Sequence, residues 1–252
     1  MDTLGSKSYE MPATPFERYL TRYRSGEWRD RIFFDMIVDS ISPATTNLAI
    51  LDIGCGQGFD GSIQLQQEMG HLASAFIGIE PDLAMSPGPW FQTLHRSTFE
   101  ETSLKPSSVD VAYAIMVLEH LERPQMFWNK LHQVLKPGGV FWALTVDKRH
   151  WFCACSKWFE RLRLKELYLN VLLGKRGEER YENYPVYYRS NSPSEINWVA
   201  GDFKQVNYWN LSREGQCAAY FPRPFTPFVR WYDRRSIRNN YPGSLLAIRA
   251  QK

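Results

Sequence analysis

Apolar residues follow two different spacings along most of the chain. Residues 16–41 place them at helical spacing, interrupted at Gly26, which predicts one or two helices before the first strand. Short apolar runs bounded by glycine or polar residues then predict strands, and helical stretches separate these runs. The predicted strands are 47–53, 75–80, 94–99, 109–116, 139–146, 204–211 and 244–250, and the predicted helices are 59–69, 125–135 and 193–200. This alternation indicates an α/β fold with a mostly parallel sheet covered on both faces.

The composition is that of a globular protein, with 44% apolar and 23% charged residues. No apolar run approaches the roughly 18 residues of a membrane span, so we expect no stable membrane insertion. The N-terminus lacks a basic segment followed by an apolar one, so no secretory signal is predicted and the expected location is cytoplasmic. The 4 cysteines lack CxxC spacing and are expected to be reduced thiols.

The strongest chemical signal is the segment LDIGCGQG at 51–58. A strand that runs into glycines lets backbone amides approach a ligand. A dinucleotide fingerprint would need a third glycine at position 59, where Phe59 stands. Asp52 instead precedes the first glycine by two positions, and an anionic side chain there suits a ligand that carries positive charge. The next strand ends at Glu80, whose carboxylate can accept both hydroxyls of a ribose.

Four ordered motifs, LDIGCGQG, GIEPD, VDVAYAIMVLEHL and LKPGGVFWALTV, resemble those of class I S-adenosylmethionine-dependent methyltransferases. The resemblance covers residues 46–146 well and the remainder only as topology. It implies S-adenosyl-L-methionine as the cofactor. It also implies a Rossmann-like, doubly wound α/β fold, with a mostly parallel seven-stranded sheet, helices on both faces and an antiparallel last strand.

We predict a single methyltransferase domain over residues 1–252. Its expected parts are an N-terminal helical cap (1–45), a cofactor-binding half (46–146) and an acceptor-side half (147–252) with lid insertions at 147–190 and 212–243. Insertions beside the carboxyl ends of strands are where such a sheet would recognise its acceptor.

The resemblance assigns the cofactor contacts residue by residue. Asp52 and the glycine turn would contact the amino-acid part of the cofactor, and Glu80 the ribose. Thr98 and Phe99 fall where family members hold the adenine, although an acidic residue is common where Thr98 stands. The predicted cofactor-binding residues are Asp52, Gly54, Cys55, Gly56, Gly58, Glu80, Pro81, Thr98 and Phe99, with Ile115 and Met116 near the sulfonium.

Methyl transfer is an in-line displacement, so alignment and exclusion of water can supply most of the rate. If the acceptor needs a base, His120 and His150 are the candidates, because both follow strands at their carboxyl ends. The alternative for His120 is capping of a local turn. Some quinone-pathway relatives hold a metal through an acidic residue followed three positions later by Glu-His. Met116 replaces that acidic residue here, so no metal is predicted.

Aromatic and basic residues dominate the late segments. Residues 147–190 carry 10 Lys and Arg against 6 Asp and Glu, whereas residues 46–146 carry 5 against 10. Trp151, Tyr184, Tyr187 and Tyr188 are predicted to contact the acceptor, with packing as the alternative for the tyrosines. The second basic cluster comprises Arg223, Arg230, Arg234, Arg235 and Arg238 with Phe225, Phe228 and Trp231. It suggests an anionic or aromatic small-molecule acceptor, and a solvated basic rim is the alternative.

The predicted function is methyl transfer to an oxygen or nitrogen of a secondary metabolite or saccharide. Two alternatives stay open: a catalytically silent S-adenosylmethionine-binding scaffold or regulator, and a nucleic-acid or protein methyltransferase. Nucleic-acid methyltransferases of this fold often carry a tetrapeptide such as NPPY after the fourth strand, where this chain has MVLEHL. The net charge of +3 is also too small to indicate nucleic acid by itself, so none is expected as a partner.

Overall fold

The computed structural model describes residues 15–42, 47–153, 184–218, 221 and 223–252. Most of the lid insertion predicted at 147–190 lies outside the described residues. The first part of the predicted helical cap, residues 1–14, lies outside them as well.

Seven strands form one sheet. They are β1 (Ala49–Ile53), β2 (Ala75–Ile79), β3 (Thr93–His95), β4 (Val109–Ile115), β5 (Leu135–Val146), β6 (Gln205–Leu211) and β7 (Leu245–Gln251). Their order is β3-β2-β1-β4-β5-β7-β6, and β7 runs antiparallel to both of its neighbours while the other pairs are parallel. The predicted fold class is therefore confirmed. The order reverses between β1 and β4, and such a switch point opens a crevice at the carboxyl ends of the strands.

Helices cover both faces of this sheet. They are α1 (Pro15–Arg24), α2 (Arg29–Val38), α3 (Ile63–Leu72), α4 (Pro124–Val134), α5 (Pro193–Val199) and α6 (Thr226–Arg238). The chain between α1 and α2 turns at Gly26, whose φ of 108° is a conformation that favours glycine. No helix among the described residues combines the length and apolar character that crossing a bilayer requires.

Two apolar cores result from this layering. On one face, α4 and α5 bury Phe127, Trp128 and Ile196 against the sheet. On the other face, α1, α2 and α3 bury side chains that include Tyr23 and Phe33. All five residues of β1 are buried, because both of its faces are covered. This burial explains why the strand is apolar at every position except Asp52.

The predicted limits of the helix after the glycine segment are wrong. The helix begins only at Ile63, because Phe59 and Ser62 first form a tight turn and the Ser62 hydroxyl accepts a hydrogen bond from the Leu65 amide at 3.2 Å. Gly70 lies inside the helix rather than at its end. A Cβ there would lie 3.1 Å from the Phe76 ring, so this glycine allows close packing on β2.

Helix α6 lies within the segment 212–243, which shows no regular element in its sequence pattern. Phe228 and Trp231 are exposed on this helix, with 61% and 52% of their surface accessible, whereas Asp233 and Ser236 are buried. Val229 is buried as well, so apolar residues occupy both the buried and the exposed side of the helix. Hydrophobic periodicity fails to detect the helix for this reason.

Asn210 on β6 joins this strand to the start of β7. Its Nδ2 donates to the carbonyl oxygens of Gly243 and Leu245 at 3.3 and 3.2 Å and to Asp147 Oδ2 at 3.1 Å. Its Oδ1 accepts a hydrogen bond from the Gly243 amide. One side chain thus satisfies several polar groups beside the carboxyl end of β5.

We expect Asn210→Ala to lower the free energy of unfolding by about 1–3 kcal/mol, because it leaves these polar groups without their partner. Urea unfolding followed by tryptophan fluorescence measures the change. Asn207→Ala on the same strand is the control and should change stability by less than about 0.5 kcal/mol. Equal losses in the two variants would contradict a specific role for Asn210.

Candidate functional site

The glycine turn after β1 requires glycine at two of its positions. Gly54 and Gly58 both have a φ of 81°, and a 3-10 turn, Cys55–Gln57, lies between them. A Cβ at Gly54 would lie 2.6 Å from Val117 Cγ2, so a larger residue would collide with the segment after β4. The turn therefore brings bare backbone to the switch point of the sheet.

Gly56 meets the carboxylate of Glu80 at the end of β2. The Gly56 amide donates to Glu80 Oε2 and the Asp82 amide donates to Glu80 Oε1, both at 2.8 Å. A Cβ at Gly56 would lie 2.5 Å from Glu80 Oε2. Burial raises the pKa of Glu80, and the two backbone hydrogen bonds oppose this rise. Both carboxylate oxygens are thus held in place, and each keeps a further lone pair for a ligand.

Asp52, buried near the end of β1, belongs to a polar network. Its Oδ2 accepts hydrogen bonds from the Tyr113 hydroxyl at 2.7 Å and from Gln66 Nε2 at 2.8 Å. Gln66 also donates to the Cys55 carbonyl at 2.9 Å, and its Oε1 accepts from Trp90 at 3.2 Å. Burial raises the pKa of Asp52 to about 7, while the two hydrogen bonds oppose the shift. Its Oδ1 accepts none of these hydrogen bonds.

The sequence interpretation did not identify Tyr113, Gln66 or Trp90 as part of this site. Asp52 and Tyr113 are paired in register on the parallel strands β1 and β4. A strand alignment at the sequence level would have found this pair, because a polar residue opposite a buried carboxylate is a natural donor. Gln66 gave no such signal, since its role depends on how α3 packs.

The remaining predicted cofactor residues differ in their surroundings. Cys55 is buried, and burial raises the pKa of its thiol, so it is not a reactive thiolate. Pro81 is exposed next to Glu80. The exposed Thr98 donates to Glu101 Oε2 at 3.0 Å, whereas the Phe99 ring is buried with its centroid 5.0 Å from that of Phe127. An adenine contact at Phe99 would therefore have to come from its backbone.

Ile115 and Met116 lie at the carboxyl end of β4 and are half-buried. Met116 has a φ of 54°, and its amide donates to the Leu144 carbonyl at 2.8 Å. A residue other than glycine in this left-handed backbone conformation costs about 1–3 kcal/mol. Such strained residues are concentrated at functional sites.

His120 contacts a segment, residues 184–189, that crosses from β2 to the turn after β4. His120 Nδ1 lies 2.9 Å from the Pro185 carbonyl oxygen, and its ring centroid lies 5.9 Å from that of Tyr184. The amides of Tyr187 and Tyr188 donate to the Glu119 carbonyl at 2.8 and 3.2 Å. The Tyr184 hydroxyl donates to Asp82, two residues after Glu80. The three tyrosines predicted to contact the acceptor thus lie in one segment, and this segment contacts His120.

The carboxylate of Glu119 has a structural partner next to His120. Glu119 is buried, and its Oε2 accepts a hydrogen bond from the Thr145 hydroxyl at 2.8 Å. Thr145 in turn accepts from Asn191 Nδ2 at 2.7 Å. Within the described ranges, no group of three or more His, Cys, Asp or Glu side chains is arranged to hold a metal ion.

His150 and Trp151 lie elsewhere, among α6 and the loop after β6. Burial lowers the pKa of His150 to about 4, with Asp147 opposing the shift, so the imidazole is neutral at pH 7. Trp151 packs with ring centroids 5.7 Å from Phe221 and 5.4 Å from Tyr232. The cavity beside His150 has a volume of about 10 Å³, which is room for about one water molecule. The structure does not bring these two residues together with His120.

Comparison with known proteins connects this geometry to a family. Residues 51–143 match the family model described as "Methyltransferase domain". The chain is 30% identical over 115 residues to the mitochondrial ubiquinone biosynthesis O-methyltransferase of Rattus norvegicus. This match covers 41% of the present chain and 32% of that protein. The chain therefore spans about a third of the length of that relative.

Two solved structures share the fold. An S-adenosylmethionine-dependent methyltransferase from Archaeoglobus fulgidus has a TM-score of 0.53 at 15% identity, covering 94% of this chain and 100% of that one. The Haemonchus contortus phosphoethanolamine N-methyltransferase 2, in complex with S-adenosyl-L-methionine, has a TM-score of 0.52 at 12% identity, with coverages of 96% and 60%.

The residues of the switch point fit S-adenosyl-L-methionine, the cofactor of this family. The backbone at Gly56 leaves no room for a side chain beside Glu80, and buried Asp52 provides a carboxylate for a ligand with positive charge. The sheet order and the glycine turn match the fold of S-adenosylmethionine-dependent methyltransferases, and residues 51–143 carry the match to the methyltransferase family model.

Proposed function

We propose that this chain is a cytoplasmic enzyme that transfers a methyl group from S-adenosyl-L-methionine to a small-molecule acceptor, a secondary metabolite or saccharide. The observation that carries the proposal is the Glu80 carboxylate, which two backbone amides hold beside the glycine turn. Transfer to oxygen or nitrogen fits the site, and the O-methyltransferase relative favours oxygen.

The chain's own residues have distinct roles in binding. Glu80 would accept the ribose hydroxyls, and Asp52 would attract the positively charged end of the cofactor. Ile115 and Met116 would line the reacting end, where half-buried apolar side chains limit access of water. When bound, S-adenosyl-L-methionine supplies a methyl carbon that the neighbouring sulfonium activates.

His120 is the better supported base of the two histidine candidates. A carbonyl oxygen can only accept a hydrogen bond, so the Pro185 carbonyl fixes the proton of a neutral His120 on Nδ1. Nε2 then carries the lone pair that can take a proton from an acceptor hydroxyl or ammonium group. Tyr184, Tyr187 and Tyr188 would orient the acceptor beside it.

Replacing Glu80 with Ala should weaken S-adenosylhomocysteine binding by about 1.5–3 kcal/mol, or roughly 10- to 150-fold, because charge-assisted hydrogen bonds to the ribose are lost. Isothermal titration calorimetry measures this change. Glu68→Ala, a half-exposed carboxylate on α3, is the matched control and should bind as the unaltered chain does. An unchanged affinity in Glu80→Ala would assign the ribose contact to another residue.

Cofactor affinity should rise with pH through about 7. The pKa of Asp52 is raised to about 7, so its carboxyl is protonated below that pH and gains its attractive negative charge above it. Titrations between about pH 5.5 and 7.5 keep most of the α-amino group protonated, because its usual pKa is about 7.7–8.0.

Asp52→Asn should remove this pH step, whereas Asp110→Asn should retain it. Asp110 contacts the Ala49 amide and Lys136, at the opposite end of the strands. A pH step that survives in Asp52→Asn would show that another group controls cofactor binding.

Replacing His120 with Ala should lower turnover by about 10²- to 10⁴-fold if His120 is the base. Transfer of labelled methyl to a panel of phenols, amines and saccharides identifies an acceptor and measures the rate. His71→Ala, on the exposed end of α3, is the control. Loss of less than about tenfold, with unchanged S-adenosylhomocysteine affinity, would reduce His120 to a turn residue.

A further inference from the structure

A cleft between the end of α1 and the loop after β6 is lined by two arginines. Its volume is about 480 Å³, and its walls are Arg24, Gly26, Arg213, Glu214, Gly215 and Ile237. Pockets that bind small molecules have volumes of about 300–1,000 Å³. The cleft therefore has the size of a binding site, in contrast to the cavity beside His150.

Arg24 at the end of α1 and Arg213 in the loop after β6 differ from the remaining arginines of α1 and α2. Arg18, Arg22, Arg29 and Arg31 each form an ion pair, with carboxylates that include Asp35 and Asp60. Arg24 and Arg213 have no such pair within the part of the chain that the structure describes. Arg24 instead donates to the carbonyl and hydroxyl oxygens of Ser212, both at 3.3 Å.

Aromatic rings hold the Arg213 guanidinium in position. Its Cζ lies 4.7 Å from the ring centroid of Tyr23 and 4.8 Å from that of Trp28. Its Nη1 also lies 3.5 Å from the Glu27 carbonyl oxygen. A cation held by two ring faces loses little side-chain entropy on binding, so it is preorganised for an anion.

The loop that carries Arg213 is fixed by α6. Gly215 has a φ of 73°, and its amide donates to the buried Asp233 Oδ2 at 2.8 Å. The Glu214 carboxylate on the cleft wall lies 3.7 Å from Arg234 Nε, so a cation offsets its charge. The charge facing the cleft is consequently positive.

The position of the cleft relates it to the cofactor turn. Arg213 follows β6 at its carboxyl end, on the same edge of the sheet as the glycine turn. Trp28, which contacts Arg213, precedes Arg29, and Arg29 forms a bidentate pair with Asp60 at 2.6 and 2.8 Å. Asp60 lies two residues after Gly58, so the Arg29–Asp60 pair joins the segment beside the cleft to the chain that follows the glycine turn.

We propose that Arg24 and Arg213 bind an oxyanion of the acceptor, a carboxylate or phosphate group, in this cleft. That the bound ligand is the methyl acceptor rests on the proposed function. Binding of an oxyanion by the two arginines does not depend on that function. The anion contact thereby lies at these two residues rather than on the exposed arginines of α6.

The test titrates phenyl phosphate and benzoate separately into the full chain, with and without saturating S-adenosylhomocysteine, and follows heat and ligand NMR signals. At least one anion should bind, and the two probes distinguish phosphate from carboxylate recognition. Arg24→Gln and Arg213→Gln should each weaken binding by about tenfold or more. Arg24→Lys and Arg213→Lys should restore part of it. Arg18→Gln, on the same helix as Arg24, should leave anion binding unchanged.

Several results would overturn the proposal: absence of binding by the unaltered chain, equal losses in Arg18→Gln, or a lower melting temperature of the Gln variants with unchanged anion binding. If Arg213→Gln does not fold, Arg24→Gln decides the question, because Arg24 is exposed. S-adenosylhomocysteine titration of the same samples separates the two proposals. Cofactor binding without anion binding rejects only the cleft, whereas failure of cofactor binding rejects the proposed function.

Discussion

The site depends on the close approach of the Gly56 backbone to the Glu80 carboxylate. The hydrogen bond between them is 2.8 Å long, and a Cβ at Gly56 would come within 2.5 Å of the same oxygen. The glycine turn between β1 and the next helix fits this space because Gly56 has no side chain, and Glu80, directly after β2, places its carboxylate there. The sheet order thus determines the cofactor recess, which is formed by Asp52, the glycine turn and Glu80, because it makes β1 and β2 parallel neighbours.

Burial gives Asp52 and His150 unusual acid–base properties. Asp52 is desolvated but retains two hydrogen-bond donors, so it can change its charge near neutral pH. His150 is buried beside a cavity of about 10 Å³ and holds a proton poorly, with a pKa of about 4. His120 instead contacts the segment 184–189, which also reaches Asp82 beside the cofactor recess. Position in the fold therefore separates residues that look equivalent in the sequence.

The sequence was sufficient for the sheet and the glycine turn, because both depend on local signals: buried apolar runs, glycines and acidic residues at strand ends. It was insufficient where contacts join distant segments. Helix α6 was missed because its exposed side carries the aromatic residues. Gln66, Arg24 and Arg213 were missed because their roles arise from packing between elements far apart in the chain. The segments that would surround the acceptor are of this second kind.

Calorimetric titration of the purified chain with S-adenosyl-L-methionine and S-adenosylhomocysteine tests the central claim most directly. The recess formed by Asp52, the glycine turn and Glu80 predicts binding of both with micromolar-range affinity, on the order of −8 kcal/mol. A nicotinamide dinucleotide should not bind, because Phe59 stands where its fingerprint needs a third glycine. No heat with either sulfur compound, together with binding of the dinucleotide, would contradict the account.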